Sequence, residues 1–277
     1  MTDAQIEMEI SEVEDYHGLA AHHVRARLHS YGLNYESRHI RTKHVVHVRK
    51  NQVKMTQAEK DRFINGIQSL IRSGLYGPLV AIHADMSHRM HSNMGPIGTQ
   101  RFLPWHRIYL HDLEQMLQTH DPKITIPYWD WANDHSIPAW LQIFTPTVWV
   151  NGNPVNVVRQ PGALRPSLPD QIDVDKVEAQ TTFTALTDPV PQQPYGLEGL
   201  HNFVHVWVGG TMASIPTAPA DPIFWLNHAN VDRLWDLWQK KNPGKNPNLT
   251  GPDTIMDPWS YSEADTRDTK KLGYKYV

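Results

Sequence analysis

His201-Asn202-Phe203-Val204-His205 and, after a short gap, Asp221-Pro222-Ile223-Phe224-Trp225-Leu226-Asn227-His228 are the stretches on which the fold turns. The first places two histidines four residues apart in an apolar run. On a helix that spacing puts both on one face, with Cβ atoms about 5–6 Å apart, near enough to share a metal ion. The second opens with an aspartate and a proline, which suit the cap and first turn of a helix. His228 therefore falls on the next helix, among large apolar side chains. A lone histidine there reads as a core residue bonded to a carbonyl. Three on two facing helices read as a metal site, because helix bundles build such sites from inward-facing side chains.

Toward the N-terminus the pattern repeats. Thr56 with Glu59 forms a capping box, and Phe63, Ile64, Ile67, Leu70 and Ile71 then recur at helical spacing until Gly74. A second helix is expected from Gly77 to Arg89, with Leu79, Ile82, His83 and Met86 on one stripe. A third is expected to begin near Pro104, with His106 in its first turn. His83 and His106 thus offer two members of a second trio. Between them lie His88 and His91; His91 is the chosen third member because it starts the loop, and His88 is the fallback. Taken singly, each histidine reads equally well as structural. Six in two helix pairs do not.

The donor set narrows the metal. Two trios of neutral imidazoles carry no anionic ligand, and imidazole suits zinc, copper, iron and nickel. Di-iron bundles combine paired Glu-x-x-His motifs with bridging carboxylates; of the six histidines only His201 has a glutamate, Glu198, three residues before it. Hydrolytic zinc sites often include a carboxylate, and none is well placed here. Two copper ions bound by histidine alone fit best, with O2 as the oxidant they would reduce.

Composition bounds the rest. A chain of 277 residues, 40% of them hydrophobic, can bury one large core or two small ones. A net charge of -3 gives no basic surface for nucleic acid or an anionic membrane, and no apolar run is long enough to span a bilayer. The absence of cysteine excludes disulfides, thiolate metal sites and cysteine nucleophiles. Residues 133–199 are rich in proline and read as long irregular loops. The expected architecture is mainly α, a helix bundle with long loops in one domain, spanning 46–277. Residues 1–45 are expected to form an N-terminal extension packed on this core. Between Asp3 and Asp15 lie six acids and no base, unlike a secretory signal. The expected location is the cytoplasm, or export by a route the chain does not encode.

At this point the sequence resembles a known family. The run from His201 to Gly210 and the run from Asp221 to Trp235 look like the two halves of the tyrosinase CuB site. Phe102-Leu103-Pro104-Trp105-His106-Arg107, followed by Leu110 and Glu114, looks like the end of the CuA site. The closing Tyr274-Lys275-Tyr276 is similar to the tyrosine pair that ends the family's core. The resemblance implies an antiparallel four-helix bundle core in which His83, His91 and His106 bind CuA and His201, His205 and His228 bind CuB. It implies a type 3 copper enzyme that hydroxylates monophenols and oxidises the resulting o-diphenols to o-quinones. The related outcomes are a catechol or o-aminophenol oxidase, or an O2-binding protein without turnover.

Lacking cysteine, the chain resembles the bacterial members, which do not crosslink a ligand histidine, and no shielding domain is recognisable at its C-terminal end. Glu198 and Asn202 resemble the glutamate and asparagine that are proposed in tyrosinases to handle the phenol proton. The other reading of Glu198 is a helix-start carboxylate, and the pair favours a tyrosinase over a plain catechol oxidase. Val206 and the loop Thr211–Ala218 are expected to line the substrate entrance. Asp232 is expected either to orient His228 or to pair with Arg107 or Arg233. The implied partners are small phenolic substrates and, as for some bacterial relatives, a copper-loading helper protein. Either a monomer or a homo-oligomer is compatible with the sequence.

Overall fold

A computed structural model describes residues 46–188 and 196–277. The extension expected over 1–45 lies outside these residues. Helix α1 (Gln57–Arg72) starts at Thr56, whose side chain accepts from the Glu59 N–H while Glu59 accepts from the Thr56 N–H. It ends in a Schellman motif: Gly74 takes φ 79°, its N–H reaches Ile71 O, and the Leu75 N–H reaches Leu70 O. Helix α2 (Tyr76–Ala84) follows at once, carries His83 in its last turn, and stops at Asp85. The expected extension of this helix to Arg89 is a separate 3-10 turn, Met86–His88, closed by Arg89 in the left-handed region.

Helix α3 (Pro96–His120) begins two turns before the expected start. Pro96 takes the first-turn place that the sequence reading gave to Pro104, and Pro104 lies inside the helix. An interior proline removes one N–H bond. This helix tolerates it because nearly every residue from Gly98 to Gln118 is buried, so packing outweighs the lost bond. A helix buried all round also shows no amphipathic stripe, which is why its start was misplaced.

The stretch expected to be irregular contains three short helices: α4 (Ala139–Gln142), α5 (Gln171–Glu178) and α6 (Phe183–Thr187). It also contains an antiparallel hairpin. Strands β2 (Thr147–Val150) and β3 (Asn153–Asn156) pair Val150 with Asn153 across Asn151-Gly152, both at positive φ, the turn that Asn-Gly favours. Helix α7 (Leu197–Val208) and helix α8 (Ile223–Lys241) complete the helical core. The Asp221 side chain accepts from the Ile223 N–H at the start of α8.

Helix α3 is the centre of the molecule and packs against α1, α6 and α8, and α8 packs against α7. The first and last of the described residues are drawn together behind it. Strand β1 (His47–Arg49) lies parallel to β4 (Tyr274–Tyr276). Buried Arg49 grips Glu114 on α3 at 2.8 Å and Asp232 on α8 at 3.4 Å. Arg107 donates to the other oxygen of Asp232, and the hydroxyls of Tyr274 and Tyr276 donate to Asp232 at 2.7 and 2.6 Å. Burial pushes the Asp232 carboxyl up, but Arg107 and Arg49 outweigh it and hold it below the ordinary value. Asp232 therefore pairs with arginines, not with an imidazole. Removing one partner of such a buried group typically costs about 3–5 kcal/mol, so this network fixes α3 against α8. Among the described residues no helix is long and apolar enough to cross a membrane.

Candidate metal centre

Five of the six chosen histidines come from four helices: His83 from α2, His106 from α3, His201 and His205 from α7, and His228 from α8. His91 comes from the loop before α3. The backbone of that loop lies so close to α3 that a Cβ on Gly98 would fall 1.8 Å from His91 O. The fold gathers these residues into two groups, His83-His91-His106 and His201-His205-His228, each with ligand atoms within 4.8 Å of one another. His88 is in neither. Its ring stacks near Trp105 and its Nδ1 meets Asp257.

The ring orientations follow from the hydrogen bonds on the outer nitrogens. His83 Nδ1 donates to Ile215 O at 2.9 Å, His106 Nδ1 to Phe102 O at 2.7 Å, and His205 Nδ1 to Met212 O at 2.7 Å. A carbonyl only accepts, so these three rings carry their proton on Nδ1 and turn a bare Nε2 lone pair inward. The inner nitrogens face one another: His83 and His106, both bare, at 3.4 Å, His83 and His91 at 3.3 Å, and His201 and His228 at 2.8 Å. His205 Nε2 is buried with no partner. Clustered lone pairs repel unless a cation sits among them, so both donor sets fit a metal ion.

Burial keeps these rings in the ligand form. Desolvation, reinforced by the neighbouring imidazoles, holds His83, His106, His201 and His228 well below the ordinary histidine value. Desolvation also brings His205 down to about 4, against the opposing effect of the Met212 carbonyl. In these five rings a metal ion therefore meets neutral donors at physiological pH and displaces few protons.

The two groups face each other. The His106 and His228 rings stack with centroids 4.4 Å apart and planes at 14°. Phe102 closes one wall, with its centroid 4.7 Å from His106 and 5.0 Å from His201. Phe224 closes another, 5.0 Å from His83 and 4.1 Å from His228. Sequence reasoning missed both walls, because a phenylalanine in an apolar run carries no sign of which cavity it lines.

Above the groups lie the remaining candidates. Glu198 is buried in the first turn of α7, and its Oε1 accepts from the N–H and hydroxyl of Ser92 at 2.9 and 3.0 Å. Ser92 was not singled out in the sequence, yet it ties Glu198 to the loop that delivers His91. Glu198 Oε2 is buried with no partner. Asn202, one turn on, is exposed, and its Oδ1 lies 3.1 Å from His201 Nδ1. The loop Thr211–Ala218 reaches both groups through Met212 O and Ile215 O, while Ala213, Ser214 and Pro216 face solvent.

The common central domain of tyrosinase matches residues 73–161 and 145–241. The tyrosinase of Streptomyces galbus is 36% identical, over 77% of this chain and 93% of its own length. The chain belongs to the tyrosinase family. It is a type 3 copper oxidase of that family, whose members use a dinuclear copper site. Grixazone synthase of Streptomyces griseus subsp. griseus is 31% identical over 72% of this chain and 86% of its own length. A functional unit of octopus hemocyanin shares the fold, with a TM-score of 0.62 at 20% identity over 83% of this chain and 68% of that one.

Proposed function

We propose that this tyrosinase-family oxidase hydroxylates monophenols to o-diphenols and oxidises o-diphenols to o-quinones. His83, His91 and His106 would hold one copper ion, and His201, His205 and His228 the other. The reduced copper pair supplies two electrons to O2. The protein supplies the proton chemistry and the wet entrance.

Glu198 carries the reading. A monophenol must lose its hydroxyl proton before its oxygen can engage a metal, and a free phenol has a pKa of about 10. A positioned base is therefore needed for the hydroxylation and much less for oxidation of a catechol. Glu198 Oε2 is a buried carboxylate oxygen without a partner. Its other oxygen is pinned by Ser92, so the side chain is held ready. Asn202 stands one turn away on the same face of α7, beside His201. In this role Glu198 accepts the phenolic proton, directly or across one water, and Asn202 orients His201 and the incoming hydroxyl. Val206, 36% exposed on the same helix, and the loop Thr211–Ala218 would border the entrance for the phenol ring.

The test is O2 uptake by the copper-loaded chain on tyrosine and, separately, on L-DOPA. The expected result is uptake on both. Glu198→Gln should lower the tyrosine rate by about 10²-fold, the usual worth of a general base, and leave the L-DOPA rate within a few-fold. Uptake on L-DOPA alone would make the protein an o-diphenol oxidase and remove the proposed role of Glu198. Tight O2 binding with no turnover on either would make it an oxygen binder.

A further inference from the structure

Three aromatic side chains that lead away from the histidines have no place in the metal sites. Trp105 lies against the first trio, with its ring centroid 5.0 Å from His106 and 6.2 Å from His83. Tyr109, one turn further along α3, stacks on His83 at 5.8 Å and 15°. Trp105 and Tyr109 are 5.1 Å apart, and both meet Trp259, at 5.1 and 6.0 Å. Trp259 lies between the exposed residues Pro258 and Ser260 and is itself 6% exposed. A continuous line of contacting rings thus runs from the first trio to the edge of solvent.

Tryptophan and tyrosine are the side chains of a cysteine-free protein that give up a single electron most readily. Electrons tunnel fast between rings in contact, so such a line conducts. Where the electron deficit comes to rest depends on protons, because an oxidised indole or phenol is a strong acid. Trp105 Nε1–H donates to Asp257 O at 2.6 Å, and the Tyr109 hydroxyl donates to Leu79 O at 2.6 Å. A backbone carbonyl cannot take the proton. Trp259 Nε1–H donates to the Asp112 carboxylate at 3.1 Å, which can. Trp259 thus has at hand the acceptor that an oxidised indole needs. A side branch from Tyr109 to Trp225, at 4.6 Å, ends at buried Tyr76, whose hydroxyl donates to Pro219 O, so it offers no such outlet.

We infer that Trp105, Tyr109 and Trp259 form an electron relay that drains oxidising equivalents from the dicopper centre to the surface when no phenol is present. The inference rests on the dicopper reading and is independent of which phenol the enzyme takes. With copper and O2 bound, one electron would leave Trp259, pass through Trp105 or Tyr109, and lower the oxidising charge of the centre by one equivalent. The Nε1 proton moves to Asp112, leaving a neutral indolyl radical. An enediol or thiol reductant from solution returns one electron, and the proton returns from Asp112. Without the relay the same oxidising equivalents fall on the nearest groups, the imidazoles themselves.

The test treats the copper-loaded full chain with hydrogen peroxide in the absence of phenol, then maps radicals by freeze-quench electron paramagnetic resonance and oxidised residues by peptide mass spectrometry. The expected result is an indolyl radical and oxygen adducts centred on Trp259. Trp259→Phe should abolish that radical and raise adducts on His83, His106 and Trp105 several-fold. Asp112→Asn keeps the indole and should lower the yield of neutral radical, and it carries the test alone if Trp259→Phe misfolds. A wild-type chain with no radical on Trp259, or a Trp259→Phe chain with the wild-type radical and adduct map, would overturn the relay. A chain that takes up no copper would overturn the metal centre and the relay together, so the copper content of each sample separates the two failures.

Discussion

The two histidine trios reach the same end by different construction. The second rests on regular helix geometry. His201 and His205 share a face of α7 because they are four residues apart, and His228 meets them because α8 packs on α7. The first is assembled from a helix end, a loop and a long helix, and its third member depends on how one backbone segment seats on another. The last turn of α2 stops at Asp85, a 3-10 turn reverses the chain at Arg89, and His91 O lies against Gly98. A site written in helical period is robust to change around it. A site written in loop conformation fails through residues that never touch the metal.

The largest expected effect is common to both. His205→Ala or His91→Ala should abolish O2 uptake and leave about one copper per chain by metal analysis, since each trio keeps only two donors. Retention of two coppers by either variant would break the assignment of that trio. Gly98→Ala should separate the trios. The added methyl meets the His91 carbonyl at 1.8 Å, a backbone atom that cannot swing aside. The expected cost is about 1–3 kcal/mol, with copper lost from the first site before the second. Equal loss from both sites would mean that the loop does not set the first site by itself.

Acid should weaken the metal-free protein through both trios at once. His205 sits near 4 when folded, and His83, His106, His201 and His228 are held well below the ordinary value. Their unfolded counterparts titrate near 6.5, so below that pH the unfolded state binds more protons and gains. Stability is complete above about 6.5 and falls toward 4, with a limiting slope of about 1.4 kcal/mol per pH unit for each histidine. Thermal denaturation of the metal-free chain between pH 7 and 5 measures this; a flat profile would contradict burial of the rings in the neutral form. The smallest effect is expected at His88. It faces Asp257 outside both trios, so His88→Gln should keep both coppers and cost about 1 kcal/mol or less. Loss of the first copper in that variant would reopen the choice between His88 and His91.

The same contrast explains what the sequence made readable. The start of α1 was visible in Thr56 and Glu59, and the start of α8 in Asp221-Pro222, because caps are local chemistry. His201 and His205 were readable from helical period, and His228 from the helix start that precedes it. The start of α3 was not, because burial on every side erases the stripe and Pro104 imitates a first-turn proline. The hairpin at Asn151-Gly152 had its signal in two adjacent residues, but the prolines around it suggested loop. Nothing local marks Ser92 as the anchor of Glu198 or Asp112 as the acceptor for Trp259. Those pairings join residues far apart in the chain and exist only once α3 and α7 are in place.

One short loop holds a ring of each trio. Met212 O fixes His205 and Ile215 O fixes His83, within one segment whose start is tied to the neighbouring backbone by Thr211 and Val158. An ion captured by either trio would still its ring and, through the shared loop, help to aim the other. Linkage of this kind is reciprocal. The two sites should therefore be coupled in the unaltered chain: copper titration is sigmoidal, and removal of the first ion by a chelator hastens the loss of the second.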